Sequence, residues 1–119
     1  MNTIQAIDKR KVKENKIVTF ADELLNFKVR TISFDDGSIG INVEDMAKGL
    51  GFIQIKNKKE YVRWETLNNY CNEIGFSQQV GKGDYIPESL FYLLGMKASN
   101  KIAQDFQRWL AIDVIPQIR

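Results

Sequence analysis

The sequence predicts an α+β domain, with a small antiparallel sheet and hairpins in the N-terminal half packed against about four helices. Three observations carry this. Residues 27–43, FKVRTISFDDGSIGINV, alternate with period two around an Asp-Gly turn, the pattern of a half-buried hairpin. From Asn42 onward, apolar residues instead recur at spacings of three and four, the stripe of amphipathic helices. Strands come first and helices after, which fits α+β better than βαβ alternation. The 119 residues suit a single domain that needs no disulfide or metal staple.

Residues 1–16 are polar and basic, and read as a flexible arm with a short strand near Ile4–Ile7. The folded domain is expected over 17–119. Ile17–Phe20, IVTF, is β-branched and aromatic, and reads as a strand. In the next segment Val29, Thr31 and Ser33 alternate with Arg30, Ile32 and Phe34, then Asp36-Gly37 makes the turn and Ser38–Asn42 the returning strand. Gly37 serves there because a tight turn needs a positive φ.

Asn42–Phe52 is a short helix with both ends written into it. Asn42 is the N-cap, Asp45 stands near the capping-box position and Glu44 complements the dipole. Gly51 suits the left-handed C′ position, with Phe52 packing back. Asn57–Gly75 reads as the next helix, its stripe formed by Trp64, Leu67, Cys71 and Ile74. Phe76–Asp84 holds two glycines around Lys82 and reads as a turn or hairpin tip. It lacks the Gly-Lys-Ser/Thr ending of a phosphate-binding loop. Pro87 fits the first turn of a helix that carries Leu90, Phe91, Leu93 and Leu94, and Gly95–Ala98 breaks it. Ser99 can cap the last helix, where Ile102, Ala103, Phe106, Trp109 and Leu110 share a face and Pro116 is the stop.

The chain contains no histidine. That removes the commonest general base, the usual triads and most zinc sites, and no nucleophile motif replaces them. No catalytic residue, metal or cofactor is expected. Cys71 lies on an apolar stripe and is read as a buried, inert thiol. No apolar run is long enough for a membrane span, and Met1–Lys16 lacks a signal-peptide core, so a cytoplasmic protein is expected.

The net charge of +2 is modest, but the cations are clustered. Lys9, Arg10 and Lys11 begin one group; Lys56, Lys58, Lys59 and Arg63 form another; Lys82 stands between its glycines. On a helix starting near Asn57, Lys58, Lys59 and Arg63 lie at the N-terminal end, where cations and backbone N–H groups suit phosphate oxygens. These eight residues are the candidate DNA contacts. Tyr61 and Tyr85 are the better candidates for exposed aromatics; Trp64, Trp109, Phe91 and Phe106 sit on helical apolar faces and read as core. The spacing of Ala47 and Gly51 raises a helix-turn-helix, but that motif needs an apolar residue near position 57, where Asn57 stands.

Three stretches together resemble the Bro-N domain, the N-terminal module of baculovirus repeated-ORF proteins and of many phage and prophage antirepressors. They are VRTI…DDGSIGINVEDMAKGLGF, then YVRWETLNNYCNEIGFSQQVGKGDYIPESLFYLLGMKASN, then the closing FQRWLAIDVIPQIR. The resemblance implies a DNA-binding module of a regulator acting in the switch from lysogeny to lytic growth, inside a bacterial host. It also implies a further domain after Arg119. It supplies no catalytic residues. The alternative is a protein-interaction module that grips a repressor or forms a homodimer without touching DNA, using Tyr92, Met96 and Ile112–Ile118.

Overall fold

The computed structural model describes residues 12–98 and 100–118, with side chains from residue 17. The elements run β1 (Val12–Asp22), β2 (Phe27–Phe34), β3 (Ile39–Asn42), α1 (Val43–Leu50), β4 (Ile53–Lys56), β5 (Lys59–Val62), α2 (Trp64–Glu73), β6 (Tyr85–Pro87), α3 (Glu88–Gly95) and α4 (Lys101–Arg108). A π-helical segment, Trp109–Val114, and α5 (Ile115–Ile118) complete the chain. This is the expected α+β architecture.

The main sheet is antiparallel, in the order β1-β2-β3-β6. β1 starts at Val12 rather than Ile17, with an irregular register between those two residues. The arm's residues 1–11 and the strand expected near Ile4–Ile7 lie outside the described residues. Gly37 makes the β2–β3 turn at φ 86°, and the Asp36 carboxylate accepts from both the Ser38 amide and its hydroxyl. β6 was not anticipated. It pairs with β3, Ile41 opposite Ile86, and is held where the Val43 amide donates to Asp84 O at 3.0 Å. Tyr85 is therefore half-buried against Ile32 and Phe34 on the second face of the sheet, and not an exposed aromatic.

The core lies between the sheet's first face, with Phe27, Val29 and Ile41, and the helices. Phe106 stands at its centre. Its ring meets Phe27 edge-on at 5.2 Å, Trp109 at 5.9 Å and Phe91 at 6.4 Å. α1 comes close enough for this only because Gly49 has no side chain: a Cβ there would overlap the Phe106 ring. Trp109, Phe91 and Phe106 are buried and Trp64 packs on the core, as their helical spacing indicated.

Asn42 caps α1 by accepting from the Asp45 amide at 3.0 Å. Asp45 does not complete a capping box. Its carboxylate reaches across to β2, taking the Arg30 backbone N–H at 2.9 Å and the guanidinium Nε and Nη2 at 2.8 and 2.9 Å. Arg30 Nη2 also donates to Asn42 Oδ1. The hydrogen bond to Asp45 raises the Arg30 pKa above its ordinary value, so the guanidinium stays charged at any physiological pH.

Two expectations about helices are corrected. Asn57–Gly75 is not one helix: residues 53–62 form the β4–β5 hairpin and α2 begins only at Trp64. Pro116 does not stop the last helix either. A proline inside an α-helix loses one bond and pushes on the carbonyl four residues back. Here the preceding turn is widened, the Ile115 amide bonding Leu110 O, and the helical run continues through Pro116 to Ile118. Asn100 caps α4 by accepting from the Ala103 amide at 2.8 Å, while Ser99 lies outside the described residues.

Replacing Asp45 by alanine leaves the Arg30 amide and guanidinium without their shared acceptor, and should cost about 2–4 kcal/mol in urea denaturation. Cys71 is fully buried, and burial pushes its thiol up to about 11. It should resist a thiol reagent at pH 8 until the chain is unfolded. Because the unfolded thiol ionises first, near its ordinary value of 9.0, stability should fall as pH rises from about 9 towards 11.

Candidate functional site

The segment FIQIKNKKEYV folds as a two-stranded ribbon because it alternates about a two-residue turn. Asn57 and Lys58 take φ 53° and 66°, both positive, as the tight hairpin turn with right-handed strand twist requires. The pairs are Ile53–Val62, Gln54–Tyr61, Ile55–Glu60 and Lys56–Lys59. The ribbon hangs from the end of α1. Gly51 turns the chain at φ 87°, the Phe52 amide donates to Ala47 O at 2.9 Å, and the Arg63 amide donates to Phe52 O at 2.9 Å. Phe52 and Val62 are buried at this root, and the Phe52 ring lies 5.5 Å from that of Tyr70 on α2. Beyond the root every residue from Gln54 to Tyr61 is exposed, so the ribbon stands out from the body.

Directly paired residues of an antiparallel ribbon share a face. Gln54, Lys56, Lys59 and Tyr61 therefore form one face. Ile53, Ile55, Glu60 and Val62 form the other, which turns Ile53 and Glu60 towards a cleft of about 690 Å³ also lined by Leu24, Leu25 and Ile102. Lys58 occupies the tip.

The cations of the described residues divide into two groups. Arg30, Lys48, Lys97, Lys101 and Arg108 are each paired with a carboxylate, such as Lys97 with Glu73 at 2.8 Å and Lys101 with Asp105 at 3.2 Å. Lys56, Lys58, Lys59, Arg63 and Lys82, together with Lys28, make no ion pair with a described carboxylate. Most of the unneutralised charge thus falls on the ribbon and its root.

Of the residues named from sequence, Lys56, Lys58 and Lys59 come together at the ribbon tip and Arg63 lies exposed where the ribbon enters α2. The three lysines do not sit on the expected first turn of a helix but on a hairpin that ends before α2 begins. Lys82 is on a different loop. That loop is fastened to α2 by Asn68, whose side chain donates to Val80 O at 3.1 Å and accepts from the Val80 amide at 2.8 Å. Gly81 and Asp84 close the turn beneath exposed Lys82. Lys9, Arg10 and Lys11 lie outside the described residues. Sequence reasoning missed Gln54, which shares the outer face with Tyr61; the period-two order Gln54, Lys56, then Lys59, Tyr61 was the available signal.

The model of the BRO family N-terminal domain matches residues 28–116. The chain belongs to this family. The Bro-N match takes in the ribbon, α1 and α2 on either side of it, and the Lys82 loop, while β1 precedes it. No curated protein and no solved structure matches the chain.

A lysine in the left-handed region is strained by about 1 kcal/mol relative to glycine, which adopts that conformation freely. Lys58→Gly should therefore leave the Bro-N fold as stable as before or raise its midpoint slightly in thermal denaturation, while removing one charge from the tip.

Proposed function

We propose that this Bro-N domain binds DNA through the β4–β5 ribbon. The observation that carries the reading is the division of cations among the described residues: most of those on the body, all but Lys28 and Lys82, are paired with neighbouring carboxylates, and those on the ribbon and its root are not. Unpaired lysines on an exposed, rigidly rooted element gain more from phosphate oxygens than paired ones, which must first give up a partner. Lys58 is held at a backbone conformation better suited to glycine, which fits selection for charge at that point. The contacts assigned are Lys56, Lys58 and Lys59, with Arg63 at the root and Lys82, Lys9, Arg10 and Lys11 as auxiliary phosphate contacts. The resemblance to phage and prophage antirepressors supports a role as a transcriptional regulator in the lysogenic–lytic switch. In this reading the domain acts in the cytoplasm of a bacterial host, by binding and not by catalysis.

A specific observation favours a second reading, a module that binds a repressor or a second copy of itself. Leu24 is 98% exposed, and Leu25, Ile102 and Ile112 expose apolar surface around the clefts beside it. Met96 and Tyr92 are also exposed.

Fluorescence anisotropy with duplex DNA over a salt series tests the first reading. Three to five phosphate contacts give a slope of log K against log salt of about −3 to −4.5. The double reversal Lys58→Glu with Lys59→Glu should abolish binding. Association with a repressor protein that survives both nuclease and that reversal would favour the second reading instead.

A further inference from the structure

We propose that the ribbon reads base edges in the major groove of duplex DNA, and that Gln54 and Tyr61 are the residues that set its sequence preference. This rests on the DNA-binding reading above and adds to it a substrate class, duplex with a preferred base sequence, and two residues not among the basic contacts.

The argument begins with size. Four residues per strand at about 3.3 Å each make a ribbon roughly 13 Å long. Its strands lie about 4.8 Å apart, so with side chains it is close to 10 Å across. The major groove is about 12 Å wide and 8.5 Å deep, and the minor groove about 6 Å wide. The ribbon fits the first and is too broad for the second.

The two faces are not equivalent. The face with Ile53, Ile55, Glu60 and Val62 carries a carboxylate that phosphates repel, and its root is buried in the body. The face with Gln54, Lys56, Lys59 and Tyr61 is free along its whole length. Only this second face can be laid against the groove floor. On it, the lysines stand at the tip and the Gln54–Tyr61 pair one step further in. Lysine stems are long enough to reach the phosphates at the groove walls. The shorter glutamine amide stays over the bases, where it can bond adenine N6 and N7 in bidentate fashion. Tyr61, 44% exposed, offers ring surface to a thymine methyl beside it. Neither side chain makes a hydrogen bond to another described residue, so each keeps its full capacity for a ligand.

The test is selection of bound sequences from a randomised duplex pool, followed by anisotropy with the selected duplex, a scrambled duplex and the matching single strand. The wild-type domain should prefer the selected duplex. Gln54→Ala should lower that preference about five- to one-hundred-fold without changing the salt slope, since it removes a base contact and no phosphate contact. Tyr61→Ala should reduce it in the same manner. Lys56→Ala should weaken selected and scrambled duplexes equally and make the slope shallower by about 1. Circular dichroism checks that these exposed substitutions leave the fold intact. Salt-sensitive binding without sequence preference, or a preference that Gln54→Ala and Tyr61→Ala leave unchanged, overturns the proposal and leaves DNA binding standing. Tighter binding to the single strand also overturns it. Absence of binding to every probe overturns the proposal and the reading beneath it together.

Discussion

The Arg30–Asp45 clamp is the constraint on which the rest of the domain's geometry depends. It ties the middle of β2 to the first turn of α1 through one carboxylate that serves a backbone amide and both ends of a guanidinium edge. Asn42 joins the same network, so the start of α1 is set by the strand before it as well as by its own cap. Once α1 is held, Gly49 meets Phe106, and the Phe27, Phe91 and Trp109 rings close around it. The other end of α1 is Gly51, from which the ribbon departs. The charged tip is therefore referenced to the sheet through a short rigid path, with no flexible linker between them.

The parts of this path that were legible in the sequence are those with a single strong local cause. Asp36-Gly37 admits few conformations other than a turn, and Asn42, Gly51 and Phe52 mark the ends of α1 in chemical terms that do not depend on context. The ribbon had no such mark. Its turn is Asn-Lys instead of Asn-Gly, and its exposed positions include Gln, Lys and Glu, residues that favour helix over strand. The helical stripe from Trp64 to Ile74 is strong, and extending it backwards over polar residues was the natural error. Burial of Phe52 and Val62, with Ile53 paired to Val62 nine residues on, decides the matter, and it is visible only in three dimensions. β6 failed for a related reason: three residues carry too little period to announce a strand, and its existence depends on β3 being there to receive it.

The candidate site shows the same division. The sequence identified the lysines correctly as a cluster but misjudged their presentation. On a helix end they would have worked as a point charge aided by backbone amides. On the ribbon Lys56 and Lys59 share one face and Lys58 stands at the tip, with the two faces of opposite character. A net charge of +2 conceals this, because most cations of the body are already matched by acids of the body.

The widened turn at Trp109–Val114 has a consequence for how the final helix fills the core. In a regular α-helix with 3.6 residues per turn, Asp113 and Gln117 would continue the angular position of Phe106 and Leu110. The wide turn absorbs one residue. Val114 and Ile118 inherit those positions, Ile115 is buried beside them, and Asp113 is left exposed. The helix works like a vernier: two scales of equal pitch, offset by a single division, brought into coincidence with one hydrophobic surface. Counted by its own periodicity the apolar pattern looks interrupted at Asp113; counted across the offset it is continuous from Ala103 to Ile118.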